Sequence, residues 1–229
     1  MNFAKKYIQE LKQTLDKLPL IQIEEIKDIL LDAYSKDRKI FILGNGGSAA
    51  TASHFACDLS KGTTIGNPEM KKRFKVIALT DNVPLLTAWG NDTDYSEIFV
   101  EQLKNLLDKD DIVIAISGSG NSENVLKAVE YANGKDAFTI GLTGFAGGKL
   151  KNIARKCLVV SSDCMERIED VHLMLEHLIC SWLREELKSI TPSSHPRIHT
   201  STHPRINAST HSHIHASTHR LINIEREGQ

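Results

Sequence analysis

Short apolar runs that do not alternate with polar residues recur along this chain, and each is followed by a stretch of helical periodicity. The runs are residues 39–43, 74–79, 111–116, 137–142 and 157–161. A half-buried strand alternates apolar and polar residues, so an unbroken run marks a strand covered on both faces, the habit of parallel sheets. Parallel neighbours need a crossover connection. Helical patterns at 48–60, 83–89, 94–107, 122–133 and 147–154 supply one after each of the first four runs. Two more helical patterns, 3–17 and 23–35, precede the first run, and a long one at 165–188 follows the last. The predicted fold class is α/β: N-terminal helices, then a three-layer sandwich around a five-stranded parallel sheet with right-handed crossovers.

That body is expected to occupy residues 1–190. The 229-residue chain, 41% hydrophobic, is long enough for one well-buried domain. From Ser193 the character changes to four octads, the second of which reads Ser201-Thr202-His203-Pro204-Arg205-Ile206-Asn207-Ala208. One apolar residue per octad, with prolines, cannot bury a core, so 191–229 is expected to be a disordered low-complexity tail. Seven of the ten histidines lie there, which also admits a metal-binding tail. The formal net charge of -1 gives no bulk attraction to nucleic acid or membrane. Cys57, Cys157, Cys164 and Cys180 form no CxxC pair and fit a reducing cytoplasm. The stretch behind Met1 has no signal-like apolar core, and the apolar stretch 171–183 is interrupted by His172, Glu176 and His177. A cytoplasmic location is expected.

Two strand-to-helix turns carry the chemistry. Ser117-Gly118-Ser119-Gly120-Asn121-Ser122 follows the third run and opens a helix. Glycines admit close backbone approach, helix N-terminal amides point at a ligand, and serine hydroxyls add donors, which together make an anion cradle. Without Lys or Arg in the loop, the anion fits a single phosphate better than a triphosphate with magnesium. Gly44-Asn45-Gly46-Gly47-Ser48 is a second such turn. Its Gly44-x-Gly46-x-x-Ala49 spacing loosely matches a dinucleotide fingerprint, but the acidic residue expected about 20 positions on is missing there; Asp81 comes later, beyond Thr80. Two phosphate-type turns at one sheet edge favour a phosphorylated small molecule held between them.

These segments, with His54-Phe55-Ala56, Gly90-Asn91-Asp92, Leu142-Thr143-Gly144 and Arg167-Ile168-Glu169-Asp170-Val171-His172, resemble sugar-isomerase (SIS) domain proteins, most nearly the phosphoheptose isomerase branch, over about residues 1–188. The resemblance implies a flavodoxin-like sheet, a homotetramer with sites at subunit interfaces, and conversion of sedoheptulose 7-phosphate to a heptose 7-phosphate for surface polysaccharide. It implies substrate contacts from Asn45, Gly46, Ser48 and Asp92, and phosphate contacts from Ser117, Ser119 and Ser122. It makes Asp58, Glu169 and His177 catalytic, and makes His54, Asp58, Glu169 and His177 the ligands of one zinc ion per subunit. The sequence departs from the family pattern at four places. Asp58 and Glu169 stand where the family has glutamate and glutamine, Glu166 where it has aspartate, and Gly118 where it has threonine.

The residues support the same chemistry independently. His54 and Asp58, four apart, share a helix face; Glu169 and His177, eight apart, lie near one face of the last helix. If the helices meet, two imidazole–carboxylate pairs suit a divalent ion. Aldose–ketose isomerisation needs a base at carbon, for which Asp58 or Glu169 serves, and a group exchanging protons between oxygens, for which His177 serves. A structural polar cluster accounts for the same spacing. His172 is expected to be structural, and Arg167 to pair with a carboxylate. The competing functions are a non-catalytic SIS module that binds a phosphosugar or protein partner, and a dinucleotide enzyme.

Overall fold

The computed structural model describes residues 2–66 and 70–190; the octad repeats, and the expectations placed on them, lie outside those residues. Helices α1 (Phe3–Leu15) and α2 (Leu20–Ser35) lead into strand β1 (Lys39–Gly44). There follow α3 (Gly47–Ser60), β2 (Lys75–Ala78), α4 (Val83–Asp92), α5 (Val100–Leu106), β3 (Ile112–Ser117), α6 (Glu123–Gly134), β4 (Phe138–Thr143), α7 (Leu150–Ile153), β5 (Lys156–Val159) and α8 (Met165–Ile190). All five strands pair in parallel in the order β2-β1-β3-β4-β5, as the apolar runs predicted.

Side chains leave the sheet alternately up and down, and the core divides accordingly. Ile40, Ile42, Ile112, Ile114, Ile116 and Ile140 meet one helical layer through Ile26, Phe55, Leu59, Ile168, Leu175 and Leu183. Phe41, Leu43, Val113 and Ala115 meet the other through Phe99, Leu103, Val125 and Val129. Every residue of β3 is buried, which explains why its sequence carries no polar alternation.

Helix boundaries shift where the turns dictate. The predicted helix 94–107 divides into a 3₁₀ turn, Tyr95–Glu97, and α5. Asp94 Oδ1 accepts from Ser96 N at 2.7 Å and fixes that turn. The helix predicted at 147–154 begins only at Leu150, because Gly147 and Gly148 hold φ of 95° and 57°, outside helical space. Among the described residues no helix is long and apolar enough to cross a membrane.

The strand order sets the site. From β1 the chain passes through α3 on one face to β2; from β3 it passes through α6 on the other face to β4. Neighbouring strands whose helices diverge to opposite faces open a crevice at their carboxyl ends. The two glycine–serine turns lie there.

Candidate active site

The first turn is tight because Gly44 has no side chain. A Cβ there would meet Ile116 O and Ser48 Cβ, each at 2.8 Å. Gly46 precedes α3 with φ 54° and offers no side-chain cap, so the first amides of α3 gain no acceptor from it. Asn45 is held by a reciprocal amide pair: its Nδ2 donates to Asn124 Oδ1 at 2.8 Å, and its Oδ1 accepts from Asn124 Nδ2 at 2.9 Å. Tyr95 Oη also donates to Asn45 Oδ1 at 3.1 Å. The two turns are thereby joined across the crevice.

In the second turn, Gly120 N donates to Ser117 Oγ at 3.2 Å, and Asn121 N to Ser119 Oγ at 3.2 Å. Ser117 and Ser122 hydroxyls lie 3.4 Å apart. Ser122 stands at the N-cap of α6 yet its side chain caps no amide, so the first amides of that helix gain no acceptor from it. Gly118 lies against Met165: a Cβ there would come 2.4 Å from Met165 Sδ, the flexible end of that side chain. The phosphate-type loop therefore abuts the start of α8.

Between α3 and α8 lies a cleft of about 440 Å³ lined by Gly47, Thr51, His54, Glu166, Glu169 and Asp170. The two helices meet in register, seven residues per rung. Glu169 covers Gly47 so closely that a Cβ would lie 2.5 Å from its Oε1. Seven residues on in both helices, His54 Nδ1 stands 4.0 Å from Glu176 Oε2. This second rung collects four donors: His54, Asp58, Glu176 and His177 offer ligand atoms within 4.8 Å of one another. His177 Nε2 is 3.4 Å from His54 Nε2 and 3.8 Å from Glu176 Oε2, and His54 Nε2 is 3.9 Å from Asp58 Oδ1.

This set shares His54, Asp58 and His177 with the expected ligands. Its second carboxylate is that of Glu176, and Glu169 lies outside the cluster. Eight residues of helix separate Glu169 from His177 by about 12 Å along the axis, and the Glu169 carboxylate reaches instead toward the N-terminus of α3. The signal for Glu176 was present in the sequence. Ile168, Val171, Leu175, Ile179, Leu183 and Leu187 are the fully buried stripe of α8, and Glu176 and His172 fall within it.

Glu176 is fully buried, and neither of its oxygens has a hydrogen-bond partner among the described residues. Burial, and then the neighbouring Asp58 carboxylate, push its pKa up to about 8. A divalent cation fits these groups: two imidazoles and two carboxylates are a usual donor set for it, and the buried unpartnered carboxylate needs a counter-charge. His172 is structural as expected. It is buried, its ring Nε2 lies 3.2 Å from Thr143 O, and burial lowers its pKa to about 4. Arg167 pairs with Glu10 at 2.7 Å and Asp163 at 3.1 Å. Asp92 stands apart, exposed at the end of α4, with Asn91 Nδ2 donating to it at 2.8 Å.

A family model described as the SIS domain matches residues 3–144. The phosphoheptose isomerase of Aliarcobacter butzleri is 39% identical over 183 residues, covering 80% of this chain and 90% of its own. The chain belongs to the SIS-domain phosphoheptose isomerase family. Solved structures agree. The phosphoheptose isomerase of Neisseria gonorrhoeae superposes with TM-score 0.72 at 32% identity, over 80% of this chain and 96% of that one. That of Francisella tularensis gives 0.73 at 32%, over 80% and 95%. The family and the five-stranded parallel fold read from the motifs are therefore borne out, and the dinucleotide reading gives way.

Proposed function

We propose that the protein is a phosphoheptose isomerase that interconverts sedoheptulose 7-phosphate and a heptose 7-phosphate. The observation that carries this reading is the continuity of the site. A phosphate-type loop abuts the start of α8, and that helix and α3 then present a carboxylate, Glu169, and an imidazole, His54, along one cleft.

In this reading Ser117, Ser119 and Ser122, with the N-terminus of α6, hold the phosphate. Asn45, Gly46, Ser48 and Asp92 position the sugar. Asp58, which stands where the family has its catalytic glutamate, takes the proton from carbon 1 of the ketose and returns it to carbon 2, while one proton passes from the first oxygen to the second. Asp58 is favoured over Glu169 as this base because the family carries glutamine at the Glu169 position, and an amide cannot take the proton. A cation at the cluster of His54, Asp58, Glu176 and His177, which we assign to zinc, would polarise the sugar's adjacent carbonyl and hydroxyl oxygens. His177 exchanges the oxygen proton in the cation-free site and is a ligand in the loaded one. The two roles exclude each other at Nε2, so the metal dependence of turnover decides between them.

A homotetramer completes the proposal. Phe3, Leu20 and Ile21 are 80%, 71% and 75% exposed, and α4 buries no residue fully within the chain; subunit contacts would cover them. Purified protein incubated with sedoheptulose 7-phosphate, with zinc or with chelator, is expected to form the aldose. Retained binding without product would overturn the isomerase and support a binding module.

A further inference from the structure

We infer that the Asn45 side chain meets the sugar phosphate only as a hydrogen-bond donor, and that Asn124 is the positioning residue that holds it in that sense. The inference rests on the proposed placement of Asn45 against the sugar. It extends the site to a residue of α6 that acts on the substrate through Asn45.

The orientation of both amides is fixed by the backbone. Val125 N donates to Asn124 Oδ1 at 2.9 Å, and a flipped Asn124 would turn its NH2 group, which cannot accept, toward that N–H. With Asn124 so oriented, its Oδ1 accepts from Asn45 Nδ2 at 2.8 Å and its Nδ2 donates to Asn45 Oδ1 at 2.9 Å. A flipped Asn45 would set donor against donor and acceptor against acceptor. The sense of Asn45 therefore follows from that of Asn124.

That sense uses up the Asn45 acceptor. A carbonyl oxygen carries two lone pairs, and Asn45 Oδ1 accepts from Asn124 Nδ2 and, at 3.1 Å, from Tyr95 Oη. Of the two Asn45 side-chain N–H groups, one goes to Asn124 and the other has no partner among the described residues. One donor is what remains for a ligand in the crevice. The substrate atom it meets is an acceptor, an oxygen of the sugar or of its phosphate.

Asn124 is 3% exposed and lies in the first turn of α6, so water does not compete for the pair. The pair ties the turn after β1 to the helix whose N-terminus holds the phosphate in the proposed reading. One buried side chain thus registers the sugar contact against the phosphate contact.

A double-mutant cycle on kcat/KM for sedoheptulose 7-phosphate tests this. Asn124→Ala is expected to lose about 100-fold, the scale of a misplacement of roughly 1 Å, and Asn45→Ala at least as much. Adding Asn124→Ala to Asn45→Ala should cost nothing further, because the one residue acts through the other. A structural role of Asn124 within α6 would cost as much in either background, and that additivity, or an unchanged Asn124→Ala, would overturn the inference. Asn45→Asp keeps the shape and the acceptor and gives up the N–H, so it should fall as far as Asn45→Ala; activity retained there would overturn the donor assignment. If Asn124→Ala does not fold, Asn124→Ser, too short to pair with Asn45, is read in the same cycle by the same criteria. Wild-type protein that binds the sugar phosphate without converting it would overturn the isomerase reading alone, and the cycle in Kd, by isothermal titration, then decides the inference by the same additivity. Wild-type protein that neither binds nor converts it would overturn both.

Discussion

The serine loop at 117–122 and the imidazole–carboxylate cluster at 54–58 and 176–177 are opposite solutions to holding a charged ligand. The loop is local and self-supporting. Its serines accept from amides within the loop, and Gly120, with φ 65°, closes it against Gly147 and Gly148 where a Cβ has no room. The cluster is assembled from two helices more than a hundred residues apart in sequence and leaves a buried carboxylate without a partner. A loop that is satisfied without its ligand binds by presenting spare donors. A cluster that is unsatisfied without its ligand stores the cost of desolvation until a cation or proton relieves it.

The largest expected effect lies on α3, within the cluster. Asp58→Asn keeps the shape of the side chain and removes the base, so kcat should fall by roughly 10²–10⁴-fold with little change in KM. Steady-state kinetics in both directions measure this. A variant with kcat near that of the wild type would move the carbon base out of the cluster, to Glu169.

The next effect separates loop from cluster by pH. The pKa of Glu176 is raised in the folded protein from 4.5 to about 8, so between these values the folded state holds more protons than the unfolded one. Stability contributed by the protonated carboxyl is complete below about 4.5 and is lost as pH rises toward 8. The slope approaches 1.4 kcal/mol per pH unit at most, by the linkage relation. Urea unfolding of metal-free protein from pH 4.5 to 8 should show this fall, and Glu176→Gln should flatten it. Parallel profiles for wild type and variant would mean that the buried carboxylate finds a partner in solution. The loop carries no titratable side chain and contributes nothing to that slope.

What could be read in advance follows the same divide. The strands were legible because burial on both faces leaves β1 and β3 without polar alternation. The turns were legible because Gly44, Gly46, Gly118 and Gly120 answer to backbone geometry within a few residues. The cluster was legible only in part. The pairing of His54 with Asp58 follows from helix spacing, but which residue of α8 faces them depends on how two distant helices register. Spacing favoured Glu169 because it shares a face with His177. The in-register contact of α3 and α8 puts Glu176 beside His54 and leaves Glu169 over Gly47. A carboxylate within the apolar stripe of α8 was the available sign, and it gains meaning only once that stripe is known to be buried.

The smallest effect tests the loop alone. Ser119 is partly exposed, and its hydroxyl accepts from Asn121 N, which leaves its own proton free to donate outward. Ser119→Ala removes one donor to a phosphate oxygen, and a hydrogen bond to a charged group contributes roughly 1.5–3 kcal/mol. The amide of Asn121 is exposed enough to turn to water, so the melting temperature should move little. KM for the phosphorylated sugar should rise by roughly 10–100-fold with kcat held within a few-fold, because the phosphate is bound alike in ground and transition states. Zinc affinity should not change, since the loop contributes nothing to the cluster. Isothermal titration with the sugar phosphate and with zinc measures both sides in one preparation. If KM stays constant, the phosphate does not sit on this hydroxyl, and Ser117, Ser122 and the α6 terminus must hold it without Ser119. If zinc affinity falls along with sugar affinity, the two regions are one cooperative unit and their independence is lost.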